Sequence, residues 1–173
     1  MTISTQPLRF AVMGNPISHS KSPAIHQAFA AQSGIDLTYE RIEVPLDGFA
    51  AAVSAFFSAG GKGLNVTVPF KLEAWQLAAH LNERATQAQA VNTLWIQDGA
   101  LHGGNTDGLG LVHDLKRLQV TLKDANILLV GAGGAARGVI GPLLDEQCAS
   151  LHVVNRTRAK AVELVGSWQS GAN

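Results

Sequence analysis

Short apolar runs alternate with amphipathic segments along most of the chain. Continuous or alternating apolar patterns predict strands, whereas apolar residues that recur every three or four positions predict helices. The predicted strands cover residues 8–13, 37–44, 63–68, 91–97, 100–103, 126–130 and 151–154. The predicted helices run from Pro23 to Gly34, over 47–59, from Pro69 to about Leu81, over 107–118, from the glycine-rich turn to Leu144, and over 157–168. This alternation indicates an α/β fold with mainly parallel sheets.

Two pairs of strands can be described further. The strands at 91–97 and 100–103 are joined by Asp98-Gly99, which predicts a hairpin with a two-residue turn. The runs at 126–130 and 151–154 are continuously apolar. Continuous apolar runs are typical of parallel strands that are buried on both faces, so we expect this second sheet to be covered on both sides.

Composition and charge indicate a folded protein with one internal boundary. Hydrophobic residues make up 46% of the 173 residues, which is enough for a core. A change of composition near residues 105–110 divides the chain into a first α/β domain, residues 1–107, and a second domain, residues 108–173, built around a βαβ unit. The 13 basic and 13 acidic side chains cancel, which argues against a nucleic-acid partner.

The location is also constrained by the sequence. Cys148 is the only cysteine, so no internal disulfide can form and a reducing, cytoplasmic location is expected. No apolar run is long enough to cross a bilayer, and the first residues do not resemble a secretory signal, so no membrane association is expected. A monomer and a homodimer are both compatible with the sequence.

A glycine-rich turn gives the strongest local signal, in the segment NILLVGAGGAARGV, residues 126–139. In a dinucleotide-binding turn, Gly131 would permit the tight bend and Gly133 would let the backbone approach a pyrophosphate. Ala136 would allow the helix to pack closely on the strand. Free N–H groups and the dipole at the helix start also favour an anion. The alternative is a glycine-rich strand–helix turn that binds no ligand.

The residues after the second strand of this unit bear on the choice of nucleotide. NAD sites usually place a carboxylate there, to accept from the ribose 2′-hydroxyl. This chain instead has Asn155, Arg156, Thr157, Arg158 and Lys160. Because guanidinium groups suit phosphate, the segment predicts NADP rather than NAD. The alternative is that Arg158 and Lys160 only solvate a helix face.

Polar side chains in the first half form a second constellation. Ser20 and Ser22 precede a helix start, where they could bind a ligand, although Ser22 could instead cap the helix. Asn65 and Thr67 are two residues apart in a predicted strand and would therefore share a face. Lys71 falls in a first helical turn, where the dipole disfavours a cation, and this unfavourable position makes it a functional candidate.

Further polar residues follow at Asn92-Thr93 and at Asn105-Thr106-Asp107. Lys71 and Asp107 could form an acid/base pair beside a centre of hydride transfer, but the sequence does not give their separation. His26 lies within an amphipathic helix and is expected to be structural. No group of histidine, cysteine and acidic residues has metal-ligand spacing, so no metal is expected.

Six motifs in order, GNPISHSKSP, GLNVTVPFK, AVNTL, GNTDG, GAGGAARG and NRT, resemble the shikimate dehydrogenase family over about residues 8–160. The resemblance implies reversible reduction of 3-dehydroshikimate to shikimate with NADPH, in aromatic amino-acid (chorismate) biosynthesis. It also implies a first domain that binds shikimate and a second domain of the Rossmann type.

The resemblance assigns roles by motif. Ser20 and Ser22 would hold the substrate carboxylate, and Lys71 with Asp107 would be the catalytic pair, with Lys71 protonating the reduced oxygen. The ring hydroxyls would be bound by Asn65, Thr67, Lys71, Asn92 and Asp107. The pyrophosphate would lie against Gly131, Ala132, Gly133, Gly134 and Ala135. The 2′-phosphate would meet Asn155, Arg156, Thr157 and Lys160. Glu83, in the helix after Lys71, would contact the cofactor or would be an exposed helix-end carboxylate.

The sequence departs from the family pattern at its end. The chain stops at Asn173, after the second strand of the Rossmann unit, whereas a complete dinucleotide fold has two such halves. We therefore expect a fragment with an incomplete sheet, whose exposed apolar edge would favour association. Two alternatives follow: a shikimate-binding fragment without catalysis, or a quinate/shikimate dehydrogenase that accepts NAD.

Overall fold

Two separate sheets organise residues 6–169, the part of the chain that a computed structural model describes. The first sheet has six strands in the order β2-β1-β3-β5-β6-β4. These are β1 (Leu8–Gly14), β2 (Leu37–Glu43), β3 (Gly63–Val66), β4 (His80–Leu81), β5 (Thr93–Gln97) and β6 (Ala100–Gly104). The second sheet pairs β7 (Asn126–Val130) with β8 (Ser150–Val154) in parallel. Parallel pairs outnumber antiparallel ones, so the predicted α/β class is confirmed.

Seven helices connect these strands within the described residues. They are α1 (Ser22–Ser33), α2 (Phe49–Ser58), α3 (Lys71–Leu77), α4 (Glu83–Ala88), α5 (Asp107–Arg117), α6 (Gly134–Asp145) and α7 (Arg158–Gln169). Pro23 lies in the first turn of α1, and Gly34 ends that helix with a φ of 65°, as the sequence predicts. None of these seven helices is long and apolar enough to cross a membrane.

The main core lies between one face of the first sheet and helices α2 and α3. Its centre is formed by fully buried residues, among them Met13, Phe49, Val53, Leu64 and Leu94. The opposite face of the same sheet carries a smaller cluster of Val12, Ile17 and Tyr39, with Phe10 and Leu37 packed against it. Because side chains alternate along a strand, polar residues such as Asn65 lie on this second face.

The predicted helix from Pro69 to Leu81 is wrong in its second half. Helix α3 ends at Leu77, because Ala78 has an extended backbone with ψ of 129°. The next residues pair with β6, in parallel at His80–Leu81, and α4 then begins. Asn82 caps α4, with its side-chain oxygen accepting from the Ala85 N–H at 2.8 Å. A two-residue strand is too short to show an alternating pattern, so only its pairing reveals it.

The expectation that β7 and β8 are buried on both faces is also wrong. Helices α5, α6 and α7 all pack on one face of this sheet, through Leu129 and Leu151. On the other face Leu128 is 64% exposed and Val130 is 77% exposed. The continuous apolar pattern therefore marks a sheet that has one face uncovered by residues 6–169. Each strand of this sheet pairs on one side only within the described residues, and association through the predicted exposed edge stays a prediction.

Two glycines bring α5 and α6 into close contact, which fixes the start of α5 against the second sheet. A Cβ built on Gly108 would lie 2.5 Å from the Gly138 oxygen and 2.6 Å from Pro142 Cγ. A Cβ on Gly138 would lie 2.9 Å from the Asn105 side chain and 3.1 Å from Asp107 Oδ2.

The predicted hairpin is confirmed, with Asp98 and Gly99 both at positive φ between β5 and β6.

Candidate active site between the two sheets

Lys71 and Asp107, the predicted acid/base pair, are in direct contact. Lys71 Nζ lies 2.5 Å from Asp107 Oδ2, and the two side chains are 12% and 21% exposed. Lys71 is the first residue of α3 and Asp107 is the first residue of α5. The helix dipole at the start of α3 disfavours the ammonium, and the adjacent carboxylate offsets that effect. The pair can therefore keep a proton donor in a largely desolvated position.

The Asp107 carboxylate is held by a second donor. Asn92 Nδ2 donates to Asp107 Oδ1 at 2.8 Å and to Thr106 Oγ1 at 2.9 Å. Asn105, which is 2% exposed, accepts the Asp107 N–H through Oδ1 at 3.0 Å and donates to the Ala90 oxygen at 2.9 Å. Asn105 was noted in the sequence without a role. Its position two residues before a helix that begins with Asp107 was the available signal.

A hydrogen-bonded chain continues from this pair toward the serines. Asn65 Nδ2 donates to the Asn92 oxygen and to Thr93 Oγ1, both at 3.3 Å. Asn65 Oδ1 accepts from the Tyr39 hydroxyl at 2.6 Å. Ser20 Oγ donates to Ser22 Oγ at 3.2 Å, and Ser22 in turn hydrogen-bonds to Tyr39. Six of the seven predicted substrate residues are thus linked through Tyr39 and Thr93.

Ser22 does not cap helix α1. It is the first residue of that helix, and the capping position, Lys21, makes no side-chain cap bond. Instead Ser20 Oγ accepts the Ser22 N–H at 3.3 Å. Arg41 holds the Ser20 carbonyl with Nε at 2.8 Å and Nη2 at 2.6 Å. The geometry therefore does not support the capping alternative, and Arg41 ties the loop that carries Ser20 to β2.

Thr67 stands apart from this chain of hydrogen bonds. The strand predicted to run to residue 68 ends at Val66, so Thr67 lies outside it. The expectation that Asn65 and Thr67 share a strand face is therefore wrong. Thr67 instead lines a cleft of about 180 Å³ together with Val68, Pro69, Lys71, Gly133, Gly134 and Ala135. Lys71 therefore contacts both the hydrogen-bonded chain and the cleft that faces the glycine-rich turn.

The glycine-rich turn adopts the predicted bend. Gly131 has a φ of 119°, a conformation that favours glycine. A Cβ on Gly133 would meet nothing within 4 Å, so space remains beside its backbone. A Cβ on Gly134 would lie 2.8 Å from Lys71 Cβ, so the start of α6 packs directly on the start of α3. Ala136 is buried against the second sheet, as expected of a small residue at that position.

The residues predicted to bind a 2′-phosphate lie at the end of β8 and the start of α7. Asn155 is half-buried and its Nδ2 donates to the Thr157 oxygen at 2.9 Å, while the side chains of Arg156, Thr157, Arg158 and Lys160 are exposed. Glu83 is the exposed first residue of α4, a helix separate from that of Lys71, and it accepts from Gln87 at 3.4 Å. This placement fits an exposed helix-end carboxylate.

Across residues 6–169, no three histidine, cysteine or acidic side chains are grouped so that they could hold a metal ion. The polar groups at the site are hydroxyls, amides, one ammonium, which donates, and one carboxylate, which accepts. Such a set suits a small ligand that carries hydroxyl groups and a negative charge.

Two family models match the chain. The shikimate dehydrogenase substrate-binding domain matches residues 12–94, and the shikimate / quinate 5-dehydrogenase model matches residues 114–172. The chain is 62% identical over 161 residues to the NADP(+) shikimate dehydrogenase of Bordetella avium, and 52% identical over 166 residues to that of Cupriavidus necator. These alignments cover 92% and 95% of this chain and 56% of each relative.

Solved structures agree with these matches. The fold is similar to shikimate dehydrogenase from Aquifex aeolicus, with a TM-score of 0.89 and 35% identity over 97% of this chain and 63% of that one. It is also similar to shikimate 5-dehydrogenase from Thermus thermophilus, solved with NADP(H) and shikimate, with a TM-score of 0.86 and 34% identity over 94% of this chain and 61% of that one. The chain thus spans about 56–63% of the length of these relatives. The two models match residues of both sheets, the relatives align with more than nine-tenths of the chain, and the chain belongs to the shikimate dehydrogenase family.

Proposed function

We propose that this chain carries the substrate-binding and proton-transfer part of an NADP-dependent shikimate dehydrogenase. The reaction is the reversible reduction of 3-dehydroshikimate to shikimate, in aromatic amino-acid biosynthesis. One observation carries the proposal: Lys71 contacts Asp107 at 2.5 Å and also lines the cleft against the glycine-rich turn. A proton donor is thereby held between a hydroxyl-lined pocket and a nucleotide-binding turn.

The proposal assigns different ligands to the two parts of the chain. Residues 1–107 would bind shikimate, and residues 108–173 would form part of the NADP-binding domain. Two observations support this division. The two sheets are separate, and the first family model ends at residue 94 while the second begins at residue 114. Asp107 then belongs to both parts, because it completes the polar site and begins the helix that packs on α6.

The residues of the site suit the chemistry of ketone reduction. NADPH, when bound, supplies the hydride for the substrate carbon. The ketone oxygen then gains negative charge and needs a proton, which the Lys71 ammonium can donate. Asp107 accepts from Lys71 Nζ and so orients the donor, while Asn92 holds Asp107 in place. In the reverse direction the neutral amine of Lys71 takes the proton back.

The second part of the chain fits a dinucleotide phosphate. The open space beside Gly133 at the start of α6 can admit a pyrophosphate, which the helix dipole favours. The backbone there is formed by Gly131, Ala132, Gly133, Gly134 and Ala135. At the end of β8, Asn155, Arg156, Thr157 and Lys160 offer donors for a 2′-phosphate. Residues 155–160 include exposed cations and no carboxylate, and this composition supports NADP over NAD.

Two measurements test the proposed function. Calorimetry of the 173-residue chain with shikimate reports binding, and NADPH absorbance with shikimate and NADP⁺ reports catalysis. The same assays are run on the chain extended by the C-terminal part of the Bordetella avium relative that it does not span. We expect shikimate binding in both forms and NADPH formation in the extended chain. A lack of shikimate binding in both forms would contradict the proposal.

A specific observation favours one alternative, a shikimate-binding fragment without catalysis. The second sheet has only two strands in the described residues, and one face of it is uncovered. Binding without NADPH formation in the 173-residue chain, together with activity in the extended chain, would support this alternative for the chain itself.

The quinate/shikimate alternative rests on the second family model. Rates with quinate compared with shikimate, and with NAD compared with NADP, separate it from the main proposal.

We expect Gly134→Ala and Gly133→Ala to fail in different ways in the extended chain. The new Cβ at Gly134 would lie 2.8 Å from Lys71 Cβ, so the free energy of unfolding should fall by about 1–3 kcal/mol. Gly133 has open space around it, so its variant should stay folded but bind NADP more weakly. Thermal unfolding and NADP titration measure the two effects. A stable Gly134→Ala, or unchanged NADP affinity in Gly133→Ala, would contradict this arrangement.

Arg156→Ala should reduce the preference for NADP over NAD by about tenfold in the extended chain, since an exposed guanidinium–phosphate contact is worth about 1.4 kcal/mol. The affinity for NAD should not change. Arg158→Ala is the matched control, because Arg158 is an exposed arginine two residues away, and we expect a change below about twofold. Ratios of kcat/KM for the two cofactors give the measurement. An equal effect of both substitutions would refute the specific role of Arg156.

A reducing, cytoplasmic location is part of the proposal. Cys148 is a free, half-buried thiol, in keeping with such a compartment. Cell fractionation tests the location. Light scattering decides between a monomer and a homodimer, which the exposed residues Leu128 and Val130 leave open.

A further inference from the structure

We propose that Tyr39 is a positioning residue for the substrate: its hydroxyl fixes the orientation of the Asn65 amide, so that Asn65 presents N–H donors to shikimate. This inference rests on the proposed function, in which Asn65 contacts a ring hydroxyl. The resemblance by motif does not include Tyr39, which lies in the middle of β2, outside all six motifs.

The contact geometry is specific. Tyr39 is 6% exposed and its hydroxyl donates to Asn65 Oδ1 at 2.6 Å, across 26 residues of sequence. The opposite side of the amide, Nδ2, then points to the Asn92 oxygen and Thr93 Oγ1, both at 3.3 Å. These two contacts are long, so the Nδ2 hydrogens can turn toward a closer acceptor. The Asn92 carbonyl can only accept, so it requires Nδ2 on its side, and the short contact from the Tyr39 hydroxyl holds Oδ1 on the other side.

The orientation of Asn65 determines what the site can recognise. An amide carries an acceptor oxygen and a donor nitrogen, and rotation by 180° exchanges them. With Oδ1 held by the Tyr39 hydroxyl, Nδ2 is the end of Asn65 on the opposite side, so a substrate group that meets Nδ2 must offer a lone pair. Without the Tyr39 hydroxyl, Oδ1 would lose its donor, and the amide would be held only by the two 3.3 Å contacts of Nδ2. The amide would then rotate more freely, and shikimate binding would have to order it.

Two features keep Tyr39 in its donor state and in place. Burial raises the pKa of Tyr39 to about 12, while a hydrogen bond from Ser22 acts in the opposite direction. The hydroxyl therefore stays protonated over the whole neutral range. His26 stacks on the ring with centroids 4.2 Å apart and planes at 17°, and its Nδ1 lies 2.9 Å from the Ser22 oxygen. This packing gives His26 a structural role, as its helical position predicts.

The first test is the binding of shikimate to Tyr39→Phe, measured by calorimetry on the 173-residue chain. The variant keeps the ring and its stacking and removes only the hydroxyl. We expect shikimate to bind about tenfold more weakly, because the Asn65 amide is then no longer held at Oδ1. Thr86→Val is the matched control, because it removes the hydroxyl of an exposed residue on α4, and its affinity should not change.

The second test separates positioning from general stability. In an Asn65→Ala background, Tyr39→Phe should change the shikimate affinity by less than about twofold, because the group that Tyr39 orients is gone. A similar loss in both backgrounds would show that Tyr39 acts through the fold and would overturn the inference. Unchanged affinity in Tyr39→Phe alone would do the same. If neither the 173-residue chain nor the extended chain binds shikimate, the proposed function fails, and this inference fails with it.

Discussion

Lys71→Met should lower the rate of shikimate oxidation with NADP⁺ by about a thousandfold in the extended chain, the usual range for loss of a general acid/base. Methionine keeps the length of the side chain but cannot transfer a proton. The affinity for NADP should change by less than about threefold, because the ammonium contacts Asp107 rather than the turn that would hold the pyrophosphate. Initial rates of NADPH formation and a separate NADP titration give the two numbers.

The control for this substitution is a second lysine–carboxylate pair. Lys116 Nζ lies 2.7 Å from Glu146 Oε1, but the Lys116 side chain is 53% exposed, against 12% for Lys71. Lys116→Met should therefore leave the rate within about twofold of the parent, since an exposed ion pair contributes little. If Lys71→Met lowers the rate and the NADP affinity by the same factor, Lys71 is not the proton donor.

Gly108→Ala should lower the free energy of unfolding by about 3 kcal/mol, toward the upper end of the range for overpacking. Its Cβ would lie 2.5 Å from a backbone oxygen of α6, and a backbone atom cannot turn aside as a flexible side chain can. Helices α5 and α6 would have to separate, and Asp107 at the start of α5 would move with them. Urea unfolding measures the change, and calorimetry with shikimate reports the effect on the site.

Gly110→Ala provides the matched control within the same helix. Gly110 is exposed, and a Cβ there would meet nothing within 4 Å. Alanine is the better helix former, so this variant should raise the free energy of unfolding by about 0.5–1 kcal/mol. Opposite signs at positions 108 and 110 would show that contact with α6, rather than helix propensity, is the cause. A stabilised Gly108→Ala would contradict the close packing.

Local features around the site were predictable, because short motifs with glycine have a characteristic backbone geometry. The bend at Gly131 and the hairpin turn at Asp98-Gly99 follow from the conformational freedom of glycine. The unfavourable position of Lys71 at a helix start marked it as a functional candidate; the structure shows its contact with Asp107, and the catalytic role of the pair stays a prediction. What the motifs could not give is the 2.5 Å separation, because the two residues are 36 positions apart.

Other features depended on neighbours that are distant in sequence. Strand β4 exists because residues 80–81 pair with β6, and a pair of residues carries no pattern of its own. The apolar run of β7 predicts burial, but exposure depends on which elements cover the sheet, and the described helices pack on one side. Tyr39 looked like an ordinary strand residue, since its role comes from contacts with Ser22 and Asn65.

The sequence by itself determined the α/β class, the glycine-rich turn, the family and the set of polar residues, because local patterns and ordered motifs are properties of the chain alone. The tertiary structure decided how those residues meet. It joined Lys71 to Asp107, linked Asn65 to the serines through Tyr39, and, within the part of the chain that the structure describes, left one face of the second sheet uncovered. Such contacts join residues tens of positions apart, and their geometry depends on how helices and sheets pack.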